Sequence, residues 1–210
     1  MALDYKKEYK EYYLPPRKPE IVTIPKMNFI AVRGKGNPNI EGGEYQKAIS
    51  ILYPVAYTLK MSPKSGKLTE GFFDYVVPPL EGLWWQDGIE GFDCYKKDLF
   101  YWISMIRLPD FFTNEDVEWA KNEVLRKKKI DASSLEFFPF EEGLSVQMMH
   151  MGSFDSETES VKLMDEFIEK EGYKNDFSSQ RLHHEIYLSD FRKTSQEKLK
   201  TVIRHPIIKK

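Results

Sequence analysis

The sequence predicts an α+β fold made of two βαββ units, and three observations carry that reading. The stretch 44–61 places Tyr45, Ala48, Ile49, Leu52, Val55, Ala56 and Leu59 at three- and four-residue steps, one apolar helical stripe. A second helix is expected over 156–171, opened by Ser156 and Glu159 and closed by Gly172. Apolar and aromatic runs at 28–34, 72–77, 99–108, 144–151, 181–188 and 201–208 read as strands. In chain order this is strand, helix, strand, strand, twice over, with a helix at 114–128 as connector. Two such units build a sheet with helices on one face and a groove between the halves on the other.

Residues 1–20 are rich in Tyr and Lys and end in Leu14-Pro15-Pro16-Arg17-Lys18-Pro19, which predicts an extended leader before a single domain over 21–210. Two β-rich runs follow, split at Pro25, the second containing Phe29-Ile30-Ala31-Val32. Gly34-Lys35-Gly36-Asn37-Pro38-Asn39 is read as a plain turn, because a dinucleotide loop needs a third glycine where Asn39 stands. Pro54 should kink the first helix without ending it, since the stripe continues beyond. The strand at 72–77 stops at Pro78-Pro79. Leu80-Glu81-Gly82-Leu83-Trp84-Trp85 comes next, and two adjacent tryptophans beside a glycine pack in a core or line a site. Residues 87–93 form a turn. The strand at 99–108 sets Phe100, Trp102, Ser104 and Ile106 against Leu99, Tyr101, Ile103, Met105 and Arg107. Thr113-Asn114-Glu115-Asp116 opens the connector helix with a cap and acidic first turn, and Arg126-Lys127-Lys128-Lys129 suits its negative end.

Composition narrows the function. Lys+Arg 31 against Asp+Glu 33 gives a net charge of -2, which argues against nucleic acid or an anionic membrane as partner. The single cysteine, Cys94, excludes a disulfide framework and fits a reducing compartment, so a cytoplasmic location is expected. No run approaches the ~20 apolar residues of a membrane span. Aromatic residues make up 14%, and their clustering in strands and turns favours an aromatic-lined pocket.

The candidate site lies on the strand Arg181-Leu182-His183-His184-Glu185-Ile186-Tyr187-Leu188. Alternation puts Leu182, His184, Ile186 and Leu188 on one face and Arg181, His183, Glu185 and Tyr187 on the other. Consecutive His183, His184 and Glu185 cannot converge on one ion, and no HxxxH or CxxC spacing occurs, so no metal or cofactor is expected. Cys94 falls in a turn and no GxSxG is present, leaving no marked nucleophile. Glu185 remains. Desolvated against aromatic rings it serves as a general base or acid; ionised, it attracts a cation.

Four motifs in order carry a family resemblance: Leu80-Glu81-Gly82-Leu83-Trp84-Trp85, Ile106-Arg107-Leu108-Pro109, His184-Glu185-Ile186-Tyr187-Leu188-Ser189-Asp190, and Lys198 through Pro206. Over about residues 20–208 the chain resembles the GyrI-like small-molecule-binding proteins, stand-alone relatives of the drug-sensing domain of MerR-type regulators. That resemblance implies the duplicated βαββ fold and a ligand groove at its pseudo-dyad. It places Glu185 in the groove, where drug-sensing members hold hydrophobic cations and some stand-alone members hydrolyse cyclopropanoid genotoxins. It implies an aromatic–acidic pair with Glu185 as the acid, for which Trp102, Tyr187 and the Trp84-Trp85 pair all qualify as the ring. The expected site has Glu185 and Tyr187 as catalytic, and Trp84, Trp85, Trp102, Tyr75, Phe100 and His183 as ligand-binding. The expected partner is a hydrophobic, aromatic or cationic small molecule. The alternative is a non-catalytic drug-binding protein or a modulator of a protein such as gyrase. No helix-turn-helix or coiled coil is present, so the regulator role does not carry over whole.

Overall fold

The structure, a computed structural model, describes residues 2–89, 96–190 and 193–210. The first unit consists of β1 (Glu20–Lys35), α3 (Glu44–Lys60), β2 (Leu80–Gln86) and β3 (Phe100–Leu108), preceded by the helical turns α1 (Tyr5–Glu8) and α2 (Lys10–Tyr13). Helix α4 (Asn114–Lys128) leads to the second unit: β4 (Leu135–Met151), α5 (Glu157–Lys170), β6 (His183–Tyr187) and β7 (Lys200–Lys209). A short β5 (Tyr173–Asn175) joins the end of β7, in a stretch that reads as a turn. The duplicated α+β architecture is as expected. Thr113 and Asp116 form the capping box of α4.

The second strand is 80–86, not 72–77. Both runs flank Pro78-Pro79 and both are apolar, but only 80–86 finds partners on both sides, β3 and β6. Tyr75 makes one isolated bridge to Leu3. Its ring packs edge-on against Phe111 and Phe112 instead. Strand β1 also runs through Pro25. Its ladder to β4 pairs Ile24 with Gly143 and Lys26 with Glu141, skipping Pro25, which has no N–H to give.

Every strand pairing among the described residues is antiparallel, and the order β4-β1-β3-β2-β6-β7 closes when β7 pairs with β4. Closure removes the free edges of a six-strand sheet. Register assigns the faces. The outer face carries Ile30, Val32, Gly82, Trp84, Trp102, Ile106, Glu185, Ile203 and Met148, each paired across the ladder with another of its side. Both long helices of the repeats pack there. Helix α3 buries Tyr45, Ala48, Leu52, Val55, Ala56 and Leu59, and α5 lays Met164 and Ile168 over Val146, Met148 and Ile203.

The inner face carries Phe29, Leu83, Met105, Ile186, Glu81, His184 and Arg204. The 1–20 segment is not extended over 5–13; its two helical turns dock against this face. Asp4 caps the first turn by accepting from Lys6 N–H. Tyr13 O–H donates to Glu81, Gln147 Nε2 donates to the Glu11 carbonyl, and Arg204 donates to the Tyr12 carbonyl. The Arg107 guanidinium lies 4.6 and 4.7 Å from the Tyr5 and Tyr9 ring centres. The tyrosines at helical spacing thus have a surface to bury against, which the prolines after them do not provide.

A charged network holds the centre of this inner face. His184 lies 3.0 Å from Glu142 through Nδ1 and 3.0 Å from Glu81 through Nε2. Arg204 donates to Glu142 at 3.0 Å and to Gln147 at 2.8 Å. Burial alone would lower the His184 pKa, but the Glu142 charge and hydrogen bonds to both carboxylates lift it to about 9. Burial would raise Glu142, yet the His184 and Arg204 charges hold it at about 2. Among the described residues no helix is long and apolar enough to cross a membrane.

Because the folded pKa of Glu142 lies below its ordinary 4.5, its ionised form stabilises the fold above that pH, and the contribution is lost as pH falls toward about 2. Glu142→Gln should therefore cost about 3–5 kcal/mol at neutral pH, the scale for removing one partner of a buried pair. The gap to the wild type should narrow at pH 3. Denaturant unfolding at both pH values checks this, and a gap independent of pH would contradict it.

Candidate functional site

A cavity of about 280 Å³ lies over the seam where β2 and β6 join the two halves, between α3 and the start of α5. It therefore sits on the helix-bearing face, not on the opposite one. Helix α3 contributes Tyr45 and Gln46, β2 contributes Trp84, β3 contributes Phe100, and β6 contributes Glu185 and Tyr187. Phe154 and Glu157 close it from the second unit, and Pro38 and Asn39 reach its rim. Lys97 and Asp155, both lining residues, form an ion pair at 2.7 Å that spans the two units.

Register explains the floor. Gly82 pairs with Glu185 and Trp84 with His183, so these four positions share a face. Gly82 leaves the space its neighbours occupy. A Cβ there would stand 2.6 Å from Trp84 Nε1 and 2.9 Å from the Tyr187 hydroxyl. Those two atoms meet across it: Trp84 Nε1–H donates to Tyr187 OH at 3.0 Å. Burial, then the Glu185 charge, pushes the Tyr187 pKa well above its ordinary value, so the phenol keeps its proton. The walls are rings in contact. Tyr45 lies 5.3 Å from Trp84, Phe100 lies 5.5 Å from Trp84, and Phe154 meets Tyr187 edge-on at 5.8 Å.

Glu185 is 5% exposed, and its Oε1 lies 3.0 Å from His183 Nε2. His183 Nδ1 in turn lies 2.7 Å from His205 Nε2. Burial, then the neighbouring His183, hold the His205 pKa well below the usual histidine value, so His205 is neutral. A chain of polar groups thus runs from the cavity floor into the second unit.

The structure brings Glu185, Tyr187, Trp84 and Phe100 together around the cavity. His183 stands behind Glu185. Trp102 stands behind Tyr45, which it meets edge-on at 5.2 Å. A close approach to Gly34 makes room for it, since a Cβ there would lie 2.2 Å from the indole. Trp85 points to the opposite face and stacks on Tyr101 at 5.4 Å, because neighbours in a strand cannot share a face. Tyr75 is buried in the cluster of Phe111 and Phe112, away from the cavity. Arg181 turns to Asp176 and the Leu144 carbonyl. Cys94 lies outside the described residues. Sequence reasoning missed Tyr45, whose place in the apolar stripe marked it as core, and Glu157, which no motif singled out. Ser156 makes no cap bond; its hydroxyl donates to the Ser153 carbonyl.

Fold and cavity together define a class: a duplicated α+β domain built around a small-molecule cavity. The chain belongs to the GyrI-like family, for the model of the GyrI-like small molecule binding domain matches residues 17–208. Among solved structures it is similar to a hydrolase from Listeria innocua, at 47% identity and TM-score 0.89 over 99% of this chain and 100% of that one. It is similar to an uncharacterized conserved protein from Listeria innocua at 48% identity and TM-score 0.92, with the same coverage. The EcmrR C-terminal domain shares the fold at 15% identity and TM-score 0.55, over 92% of this chain and 98% of that one. No curated protein matches.

Gly82→Ala should cost about 1–3 kcal/mol of stability by forcing Trp84 and Tyr187 apart. Thermal unfolding of the variant measures it. Wild-type stability would mean the two side chains yield without strain.

Proposed function

We propose that this protein captures hydrophobic, electrophilic small molecules between α3 and α5 and hydrolyses them, with Glu185 as general base. The observation that supports this most is a buried carboxylate at the floor of an aromatic cavity, beside a protonated phenol. Similarity to a protein described as a hydrolase adds support. The substrate class is a strained cyclopropane conjugated to a carbonyl. Tyr45, Trp84 and Phe100 stack on the flat molecule and exclude bulk water. Glu185 takes a proton from one water as its oxygen bonds to the ring carbon. The ring C–C bond breaks, its electrons pass into the conjugated carbonyl, and that oxygen takes a proton from solvent. Tyr187, fixed by Trp84 Nε1–H, directs its own O–H to the attacking water or the carbonyl.

The rival reading is sequestration without turnover, favoured by the acidic floor, which would hold a cation against the rings. Glu185→Gln separates the two. Glutamine keeps the shape but cannot accept the proton. In the hydrolase reading, single-turnover ring opening falls by roughly 10²–10⁴-fold while a neutral cyclopropanoid still binds. In the binding reading neither protein turns over, and only a cationic dye loses affinity. Wild-type turnover that survives the change would remove Glu185 from the base role.

Trp84→Ala tests the wall. Fluorescence titration should show weaker ligand binding than the accompanying loss of stability explains. Unchanged affinity of the folded fraction would place Trp84 in the core alone.

A further inference from the structure

We propose that Glu157, His183 and Glu185 form a binding site for a divalent first-row transition ion at the floor of the cavity. One donor atom from each residue lies within 4.8 Å of the other two, and all three residues are buried. They come from two elements. His183 and Glu185 are two apart on β6 and so share a face, and Glu157 is the first residue of α5, packed across from them. Local spacing carries no sign of this set, because the residue that completes it, Glu157, comes from another element.

The donor chemistry is selective. One imidazole and two carboxylates suit zinc, cobalt or manganese, whereas calcium and magnesium favour all-oxygen sets. The imidazole is also held as a ligand should be. His183 Nδ1 contacts His205 Nε2 at 2.7 Å. His183 Nε2 lies 3.0 Å from Glu185 Oε1, where without metal its N–H donates to the carboxylate, and an ion at that point takes the proton's place. On loading, the remaining imidazole proton sits on Nδ1, where the His205 Nε2 contact serves as the outer partner. A cation between the carboxylates also lowers the cost of burying both. Access runs through the cavity, and three protein ligands leave a coordination position open toward it.

The consequence is a change in what the cavity accepts. Without metal the floor carries carboxylates and disfavours anionic ligands. With metal it offers an electrophilic position to oxygen donors such as hydroxamates. Glu185 bound to metal cannot take a proton from water, so loading would oppose the base chemistry proposed above. The site itself does not depend on that chemistry.

The test uses the full chain freed of metal with a chelator and then dialysed. Titration with Co²⁺ is followed by visible absorption and calorimetry. One equivalent should bind with d–d bands of a nitrogen- and oxygen-ligated site, and acetohydroxamate should shift those bands. Glu157→Gln and His183→Gln should each weaken Co²⁺ binding by at least roughly tenfold, the scale on which even outer-shell partners matter. Absence of stoichiometric binding, or binding unchanged in both variants, would overturn the site. If a variant does not fold, the wild-type spectrum decides: bands insensitive to acetohydroxamate place the ion elsewhere. Hydrolysis measured in EDTA examines the proposed activity separately, so the two readings fail independently.

Discussion

Strand β6 is His183-His184-Glu185-Ile186-Tyr187, and nearly all of it is buried on both faces. Four of its five side chains are titratable, so neither face can rely on water. Each must find its partners inside the protein. Alternation divides them. His184 goes inward to Glu81 and Glu142, while His183, Glu185 and Tyr187 go outward to His205, Trp84 and the cavity. The inner network fixes the strand's position, and the outer set inherits that position.

Ring closure supplies those partners. Arg204 on β7 pairs in register with His184, and Glu142 on β4 reaches the same point opposite the gap left by Pro25. An open sheet would put β4 and β7 at distant edges. The docked N-terminal turns then cover the network from the remaining side, through Tyr13 on Glu81 and the Tyr12 carbonyl on Arg204. Polar burial here is a shared construction of five segments remote in sequence.

Much of this was legible in the sequence, and the reasons are local. The stripe of α3, the capping box at Thr113 and the alternation of β6 are each set by neighbours within a few residues. What failed depended on distant pairing. The runs 72–77 and 80–86 have the same character, and only the contacts of β2 with β3 and β6 distinguish them. Alternation says that one of Trp84 and Trp85 faces the cavity, but register with His183 decides which. Glu185 was identified because its strand neighbours are polar on one face and apolar on the other. Glu157 was not, because an acid in a first helical turn has an ordinary local explanation.

The position of the cavity follows from the same closure. A groove on the face opposite the helices is the natural expectation for an open sheet, since that face lacks cover. Six strands joined edge to edge curl that face inward, and the N-terminal turns, Phe29, Met27 and the charged network fill it. The space left there is about 10 Å³, against about 280 Å³ between α3 and α5. A void of the smaller size holds about one water at most. The outer seam has the opposite geometry. Helices α3 and α5 each cover their own unit, and neither reaches across β2 and β6 where the units meet. The rings of Tyr45, Trp84 and Phe100 pack on one another at its side. The repeat thus leaves a space at its own junction, and β6 directs Glu185 into it.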